Sequence, residues 1–365
     1  MTDREEKTGA GKRALVAMSG GVDSSVAAYL MQQAGYACVG CTMKLYAGTE
    51  GEDSRCCSLS DVEDARAVAA RLGIPYYVFN FTDDFREKIM DAFVCAYARG
   101  ETPNPCIDCN RYMKFDKLFD RAKILGCDCV VSGHYARIER NGSRLLLKKA
   151  RDAGKDQSYV LYRLTPEQLA HTCFPLGDLC KSEVRALAEE QGFLNARKKD
   201  SQDICFVPDG DYAAFIERYA GKTFPPGDFV TPDGRVLGRH RGIIHYTIGQ
   251  RKGLGLSLPA PLYVAGIDAK ENTVTLTPSE GLFTRTLYAR DLSATLPEGL
   301  PTTPTRVTAR ARYHQAEQPA TACVTEDGRL RVTFDEPVRA VTPGQAVVLY
   351  DGDVVLGGGV IACTE

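Results

Sequence analysis

The chain has 365 residues, 44% hydrophobic and 25% charged, a balance that suits two or three globular domains and excludes a stapled miniprotein, a collagen-like fibre and a largely disordered chain. Lysine and arginine number 45 against 47 aspartates and glutamates, so the formal net charge is −2, and any RNA binding has to come from local patches rather than a chain-wide field. Fourteen scattered cysteines, no apolar run of membrane-spanning length, and a mixed-charge start (MTDREEKTGAGKR) predict a reduced, cytoplasmic protein with no membrane partner and a disordered leader over residues 1–12.

In chain order, the apolar run 14–18 predicts a strand, Ser19-Gly20-Gly21 a turn, and Val22, Val26, Tyr29 and Leu30 the buried stripe of a helix. A strand over 37–45, a helix over 61–72 stopped by Gly73, and a strand over 76–81 follow. Tyr112, Phe115, Leu118, Phe119, Ala122 and Leu125 mark a helix over 111–125, and 127–132 reads as the next strand, with Cys127 and Cys129 as packing residues. Strands alternating with helices specify a doubly wound, parallel-sheet α/β domain, assigned to 13–210. Within it, seven basic residues (Arg137, Arg140, Arg144, Lys148, Lys149, Arg151, Lys155) form either a solvated hairpin or a nucleic-acid patch.

Composition shifts after Cys205, where glycines and prolines replace helical patterns except for a short helix over 211–219; this predicts a small linking domain, 211–285. From about Leu262 the reading is all-β, with strands over 262–267, 273–276, 306–313, 320–325, 330–334 and 346–350 and hairpin turns at Asp327-Gly328 and Asp351-Gly352. These predict a small β-barrel, with the C-terminal domain assigned to 286–365.

Chemistry is densest at Ser19-Gly20-Gly21-Val22-Asp23-Ser24-Ser25, directly after the first strand. Two glycines admit a phosphate close to the backbone, three hydroxyls can donate, and the helix N-terminus offers unpaired N–H groups. The segment lacks both the lysine of G-x-x-x-x-G-K-[ST] and the spacing of G-x-G-x-x-G, and its one acid, Asp23, implies a bridging Mg²⁺ beside a polyphosphate. Cys56-Cys57 reads as inert thiols or as a further thiol near the site, and His171, His240, His245 and His314 lack metal-ligand spacing. The stretch 246–255, with Arg251, Lys252 and three glycines, is a phosphate-contacting loop or a tight linker.

S-G-G-V-D-S-S resembles the signature of PP-loop ATP pyrophosphatases. Together with Thr102-Pro103-Asn104-Pro105, Cys106-x-x-Cys109-Asn110, Ser132-Gly133-His134-Tyr135-Ala136, Lys155-Asp156-Gln157-Ser158-Tyr159, Ser201-Gln202-Asp203-Ile204-Cys205-Phe206, Tyr246 to Gly255 and Arg312-Tyr313, it resembles the tRNA-specific 2-thiouridylase family over nearly the whole chain. The resemblance implies ATP-dependent adenylation of the wobble uridine of a tRNA anticodon stem-loop at its 2-oxygen, then displacement of AMP by a sulfur nucleophile. It implies that Ala17, Met18, Ser19, Gly20, Gly21, Val22, Asp23, Ser24, Met43 and Gly133 bind ATP with Mg²⁺, and that Cys109 is the nucleophile and Cys205 the persulfide carrier. Asn104, Pro105 and Cys106 match the segment that meets the target base, and His134, Lys155, Asp156, Gln157, Arg312, Tyr313 and Gln345 match tRNA contacts. The sulfur donor it implies is a donor or relay protein, or inorganic sulfide.

Many members of the family carry Asp where this chain has Cys106, so a proton-transfer carboxylate does not carry over to that position. Cys106, Cys109 and Cys205 admit an iron–sulfur reading, a [4Fe–4S] cluster with one open iron, and a persulfide and disulfide relay; a zinc site would want a fourth ligand. Two other classes share parts of the pattern: a small-molecule PP-loop ligase or amidotransferase, and a non-catalytic RNA-binding protein. Pyrophosphate release that depends on added tRNA separates the three.

Overall fold

The structure is a computed structural model that describes residues 9–46, 59–198, 204–257 and 259–365. Residues 9–12, expected in the leader, instead belong to the domain: the Gly9 N–H donates to the Ala34 carbonyl, and the Ala37 N–H to that of Lys12. Cys56-Cys57 and Ser201-Gln202-Asp203 lie outside the described residues.

The N-terminal domain alternates β1 (Arg13–Ala17), α1 (Val22–Gln33), β2 (Ala37–Lys44), α2 (Leu59–Leu72) and β3 (Tyr76–Asn80) before two long helical segments, α3 (82–98) and α4 (105–124), and β4 (Cys129–Val131). α3 is absent from the sequence reading although Phe85, Ile89, Phe93 and Tyr97 recur every fourth residue and are all buried. α4 starts six residues earlier than the apolar stripe predicts, because Pro105 takes the first helical position and the Asn104 side chain accepts from the Cys106 N–H (3.2 Å). A π-helical stretch, Cys109–Lys117, follows that first turn.

Next come a hairpin, β5 (Arg137–Asn141) and β6 (Arg144–Lys148), then β7 (Thr172–Cys173) and a helix α5 (Lys181–Glu190). β3, β2, β1, β4 and β7 form one parallel sheet in that order, as the alternation of strands and helices demands. Cys129 and Cys127 pack on different apolar clusters either side of the sheet.

The middle segment carries α6 (Tyr212–Ala220), capped by the Asp211 carboxylate and ended by Gly221 at φ 62°, then β8 (Gly227–Val230), β9 (Val236–His240), β10 (Tyr263–Asp268) and β11 (Thr273–Thr277). The order β10-β11-β8-β9 puts the strands predicted at 262–267 and 273–276 in this sheet, inside the 211–285 segment assigned to the linking domain, and removes them from the run of strands read as a barrel. Phe206, Phe215, Phe229 and Tyr246 share a core with Phe85 and Phe93 of α3, so the middle segment packs on the first domain.

The barrel is β12 (Phe283–Ala294), β13 (Thr305–Arg310), β14 (Gln318–Val324), β15 (Leu330–Arg339), β16 (Ala346–Asp351) and β17 (Val354–Thr364), closed by pairing of β12 with β17. β12 and β17 are missing from the sequence reading. β17 holds Gly357-Gly358-Gly359, which reads locally as a turn but pairs on both sides, with β16 and β12. The hairpin β5–β6 joins this same sheet through Val354 opposite Lys148.

That joining decides the fate of the basic run. Arg137 pairs with Asp353, Arg144 with Glu298, Lys148 with Glu139 and Asp353, Lys149 with Glu317 and Arg151 with Glu183. Most of its cations hold the barrel to the first domain or brace the hairpin. Tyr159, Tyr162 and Phe115 share a further core with Ala346, Val348 and Tyr350, which makes the seam between these domains apolar as well as ionic.

Candidate functional site

In the order β3-β2-β1-β4-β7 the chain leaves β1 in one direction and later returns to β1's other side as β4. Ligand crevices of open α/β sheets lie beyond the carboxyl ends of the strands at such a reversal. The loop after β1 (Met18 to Gly21) and the loop after β4 (Ser132 to Ala136) meet there. The Met18 N–H donates to Cys41 and Thr42 Oγ1 donates back to the Met18 carbonyl (2.6 Å), fixing the exit from β1. Gly20 has φ +74°, and a Cβ there would lie 2.3 Å from the Asp61 carbonyl oxygen. A Cβ on Gly133 would lie 2.8 Å from the backbone of Asp23 and Ser24. The serines brace the loop: Ser24 Oγ donates to the Gly21 carbonyl (3.0 Å) and accepts from the Ser19 N–H (3.2 Å), and Ser25 Oγ also donates to Gly21 (3.1 Å). Ala17 to Ser24 and Gly133 thus form one cradle at the N-terminus of α1, with Met43 on the neighbouring strand β2.

Four residues of this cradle escape reading by spacing. Lys181, the first residue of α5, donates to both carboxylate oxygens of Asp23 (2.7 and 2.8 Å), and the Tyr135 hydroxyl donates to Asp23 Oδ1 (2.8 Å). Asn195 Nδ2 donates to the Gly20 carbonyl and Ser25 Oγ (both 2.9 Å), while its Oδ1 is buried with no hydrogen-bond partner among the described residues. Lys198 binds Asp61 and Asp64 (2.6 Å each) and lies 3.4 Å from the Gly20 carbonyl. Only Tyr135, inside the Ser132 to Ala136 motif, carried a sequence signal.

The thiols occupy the start of α4 and the segment entering the middle domain. Cys106 is exposed, one residue into the helix, while Cys109 and Cys205 are half-buried. Cys109, Cys205 and Ala17 all pack on the apolar cluster that contains Met43. Residues 102–106 sit where three domains meet: the Thr102 N–H donates to the Pro343 carbonyl, Gln345 Nε2 donates to the Thr102 carbonyl (2.7 Å), and Thr102 Oγ1 lies 3.3 Å from Thr247 Oγ1 of the middle domain. Beneath the same turn, Asn104, Pro105 and Asp108 line a cleft of about 160 Å³ shared with Arg163 and Asp291; burial pushes the Asp108 carboxyl up.

Residues matched to tRNA contacts gather around this seam, but most spend their polar atoms inside the protein. Asp156 is buried and accepts from the Ala150 N–H (2.9 Å) and Ser158 Oγ (2.8 Å). Gln157 Oε1 accepts from the Tyr135 N–H (3.0 Å), so it holds the residue that holds Asp23. His134 is buried between Ser132 Oγ (2.7 Å) and Lys114 Nζ (3.4 Å); burial, then the nearby lysine, holds its ring well below the usual imidazole range and therefore neutral. Arg312 lies in a turn, not in the strand predicted over 306–313, and donates to the Ile248 carbonyl and Thr342 Oγ1. Tyr313 reaches the Asp156 carbonyl (3.5 Å) and its ring lies tilted against that of Tyr159, 5.7 Å between centroids. The 246–255 stretch is thus a wedge between middle domain and barrel.

Among the described residues no three His, Cys, Asp or Glu side chains are grouped so as to hold a metal ion. No grouping of the described side chains of Cys106, Cys109 and Cys205 thus lends support to the iron–sulfur reading. Among the same residues no helix is long and apolar enough to cross a membrane.

Comparison with known proteins covers all three parts. Residues 12–209 match the tRNA methyl transferase HUP domain, 213–278 the tRNA methyl transferase PRC-barrel domain and 284–361 the aminomethyltransferase beta-barrel domain. The chain is 50% identical over 356 residues to the tRNA-specific 2-thiouridylase MnmA of Acetivibrio thermocellus, covering 96% of this chain and 99% of that protein. It is 52% identical over 352 residues to the protein of that name from Moorella thermoacetica (95% and 98% covered) and 48% identical over 354 residues to that of Clostridioides difficile (96% and 98% covered).

Proposed function

This chain belongs to the tRNA-specific 2-thiouridylase family, and we propose that it uses ATP to convert the wobble uridine, position 34, of tRNA to 2-thiouridine in the cytoplasm. One observation supports the reading: Ala17 of the phosphate cradle and the thiols Cys109 and Cys205 pack on the same apolar cluster, of which Met43 is a member, as an enzyme that couples adenylation to sulfur chemistry requires.

The cradle from Ala17 to Ser24 receives the triphosphate, with Met43 and Gly133 against the nucleotide and Asp23 as the carboxylate that would hold Mg²⁺, which supplies charge neutralisation of the phosphates. Its Oδ2 keeps acceptor capacity beyond the one lysine contact it makes. Asn104, Pro105 and Cys106 present the flipped base, whose 2-oxygen attacks the α-phosphorus and releases pyrophosphate. Cys205, charged as a persulfide by a donor or relay protein, attacks C2 with its outer sulfur, and AMP leaves. The Cys109 thiolate then attacks Cys205 Sγ, breaking the S–S bond so that the outer sulfur stays on C2, and a Cys109–Cys205 disulfide forms, which an external dithiol reduces. With inorganic sulfide as the alternative donor, hydrosulfide itself attacks C2 and AMP leaves, with no persulfide or disulfide formed. No step runs through an iron–sulfur cluster.

The test is a reconstitution with unmodified tRNA, ATP and a persulfide donor, reading pyrophosphate release and 2-thiouridine by mass spectrometry, with iron content measured alongside. Both products, pyrophosphate only when tRNA is present, are expected. Release without tRNA would instead mark a small-molecule ligase, and tRNA binding without release a non-catalytic binder. Thiolation that tracks iron content would restore the cluster.

A further inference from the structure

The cradle poses an electrostatic problem. Asp23, Asp61 and Asp64 all face the loop that is to receive a polyphosphate, and loop spacing offers no cation to offset them. The structure brings in two. Lys198 is occupied at the rear, with its ammonium between Asp61 and Asp64 and behind the Gly20 carbonyl. Lys181 is at the mouth: its ammonium bridges both oxygens of Asp23, in the first turn of α1, and lies 5.8 Å from the centre of the Tyr135 ring. Its side chain is 12% exposed against 29% for Asp23, so the pair sits at the rim of the cradle with one side open. Gly133 presses on the backbone of Asp23 and Ser24 from the other flank, which fixes where the carboxylate points.

Resting on the ATP reading above, we propose that Lys181 is a phosphate ligand of this enzyme: it holds Asp23 while the cradle is empty and turns one N–H onto a phosphate oxygen when ATP enters. The lysine side chain suits the exchange, because a flexible stem carries rotatable donors and one of its two contacts with Asp23 can be given up for a phosphate oxygen while the other is kept. Tyr135, itself pinned by Gln157, keeps its hydrogen bond to Asp23 throughout and so preserves the loop while the lysine moves. Lys181 thus discriminates for phosphate, not for adenosine.

The test is calorimetric titration of the full chain with Mg-ATP, AMP and adenosine. Lys181→Met should weaken ATP by about tenfold or more, the loss of one charge-assisted bond, and leave adenosine within about twofold. Lys181→Arg, which keeps the charge, should retain most ATP affinity and serves as the folded control, with melting temperature recorded for each variant. If Lys181 only neutralised Asp23, the Asp23→Asn/Lys181→Met double variant, titrated with ATP in EDTA so that the Mg²⁺ role of Asp23 drops out, would recover the affinity of the unmodified protein under the same conditions; no recovery is expected. Equal losses for ATP and adenosine, an unchanged ATP affinity in Lys181→Met, or recovery in the double variant would each overturn the proposal. Failure of the unmodified protein to bind ATP at all would instead overturn the ATP reading on which it rests.

Discussion

The phosphate cradle and the 102–106 seam differ in how they are built. The cradle's frame is largely local: β1, one loop and α1 are consecutive, and Ser19 and Ser24 bond within five residues of themselves, with Asn195 bracing Ser25 from afar. The seam is assembled from three domains, with Gln345 reaching Thr102 and Arg312 reaching Ile248. A local frame tolerates loss of its neighbours, whereas a seam transmits every change in domain docking to the residues beside Cys106.

The largest effect should come from the thiols that the two regions share. Cys109→Ser or Cys205→Ser should lower thiolation by roughly 10³-fold or more while tRNA-dependent pyrophosphate release persists, because adenylation precedes sulfur attack. Loss of both activities together would place the cysteines in the cradle's work.

Next is the cradle alone. Gly20→Ala or Gly133→Ala should cut pyrophosphate release by about 10²-fold, since a methyl group must displace the Asp61 carbonyl or the α1 backbone, with tRNA affinity unchanged in filter binding. Parallel loss of RNA binding would show that the two regions are not separable.

At the seam, Asp156→Asn should lower stability by about 1–3 kcal/mol in urea unfolding, because it weakens a buried acceptor of three hydrogen bonds, with the salt slope of tRNA binding unchanged. Lys155→Gln should cost less stability than Asp156→Asn and make the log–log salt slope shallower by about one unit. Interchanged outcomes would make Asp156 the RNA contact and Lys155 the brace.

The smallest effect is a pH dependence. His134 is neutral when folded because burial lowers its affinity for protons, so the unfolded chain binds more protons as pH falls below the ordinary imidazole value. Stability is therefore full above about pH 6.5 and declines below it. His134→Gln should flatten part of that decline in unfolding curves between about pH 7 and 5, with His240 and His245, also lowered by burial, supplying the rest.

The sequence by itself determined the parallel sheet, the glycine loop after β1 and the all-β character of the C-terminal part, because each is recorded in periodicity or in residues a few positions apart. The early start of α4 was also local, in Asn104-Pro105, yet the apolar stripe concealed it. Only the tertiary structure decided which strands close the barrel, since a glycine-rich β17 becomes a strand only when β16 and β12 flank it. It likewise turned the basic run of β5–β6 into a docking staple and turned Asp156, Gln157 and His134 inward. Lys181 reaches Asp23 across 158 residues of chain. No spacing rule records such a pair, because a side chain's polar partner is chosen by what the fold brings within hydrogen-bond distance, not by what lies near it in sequence.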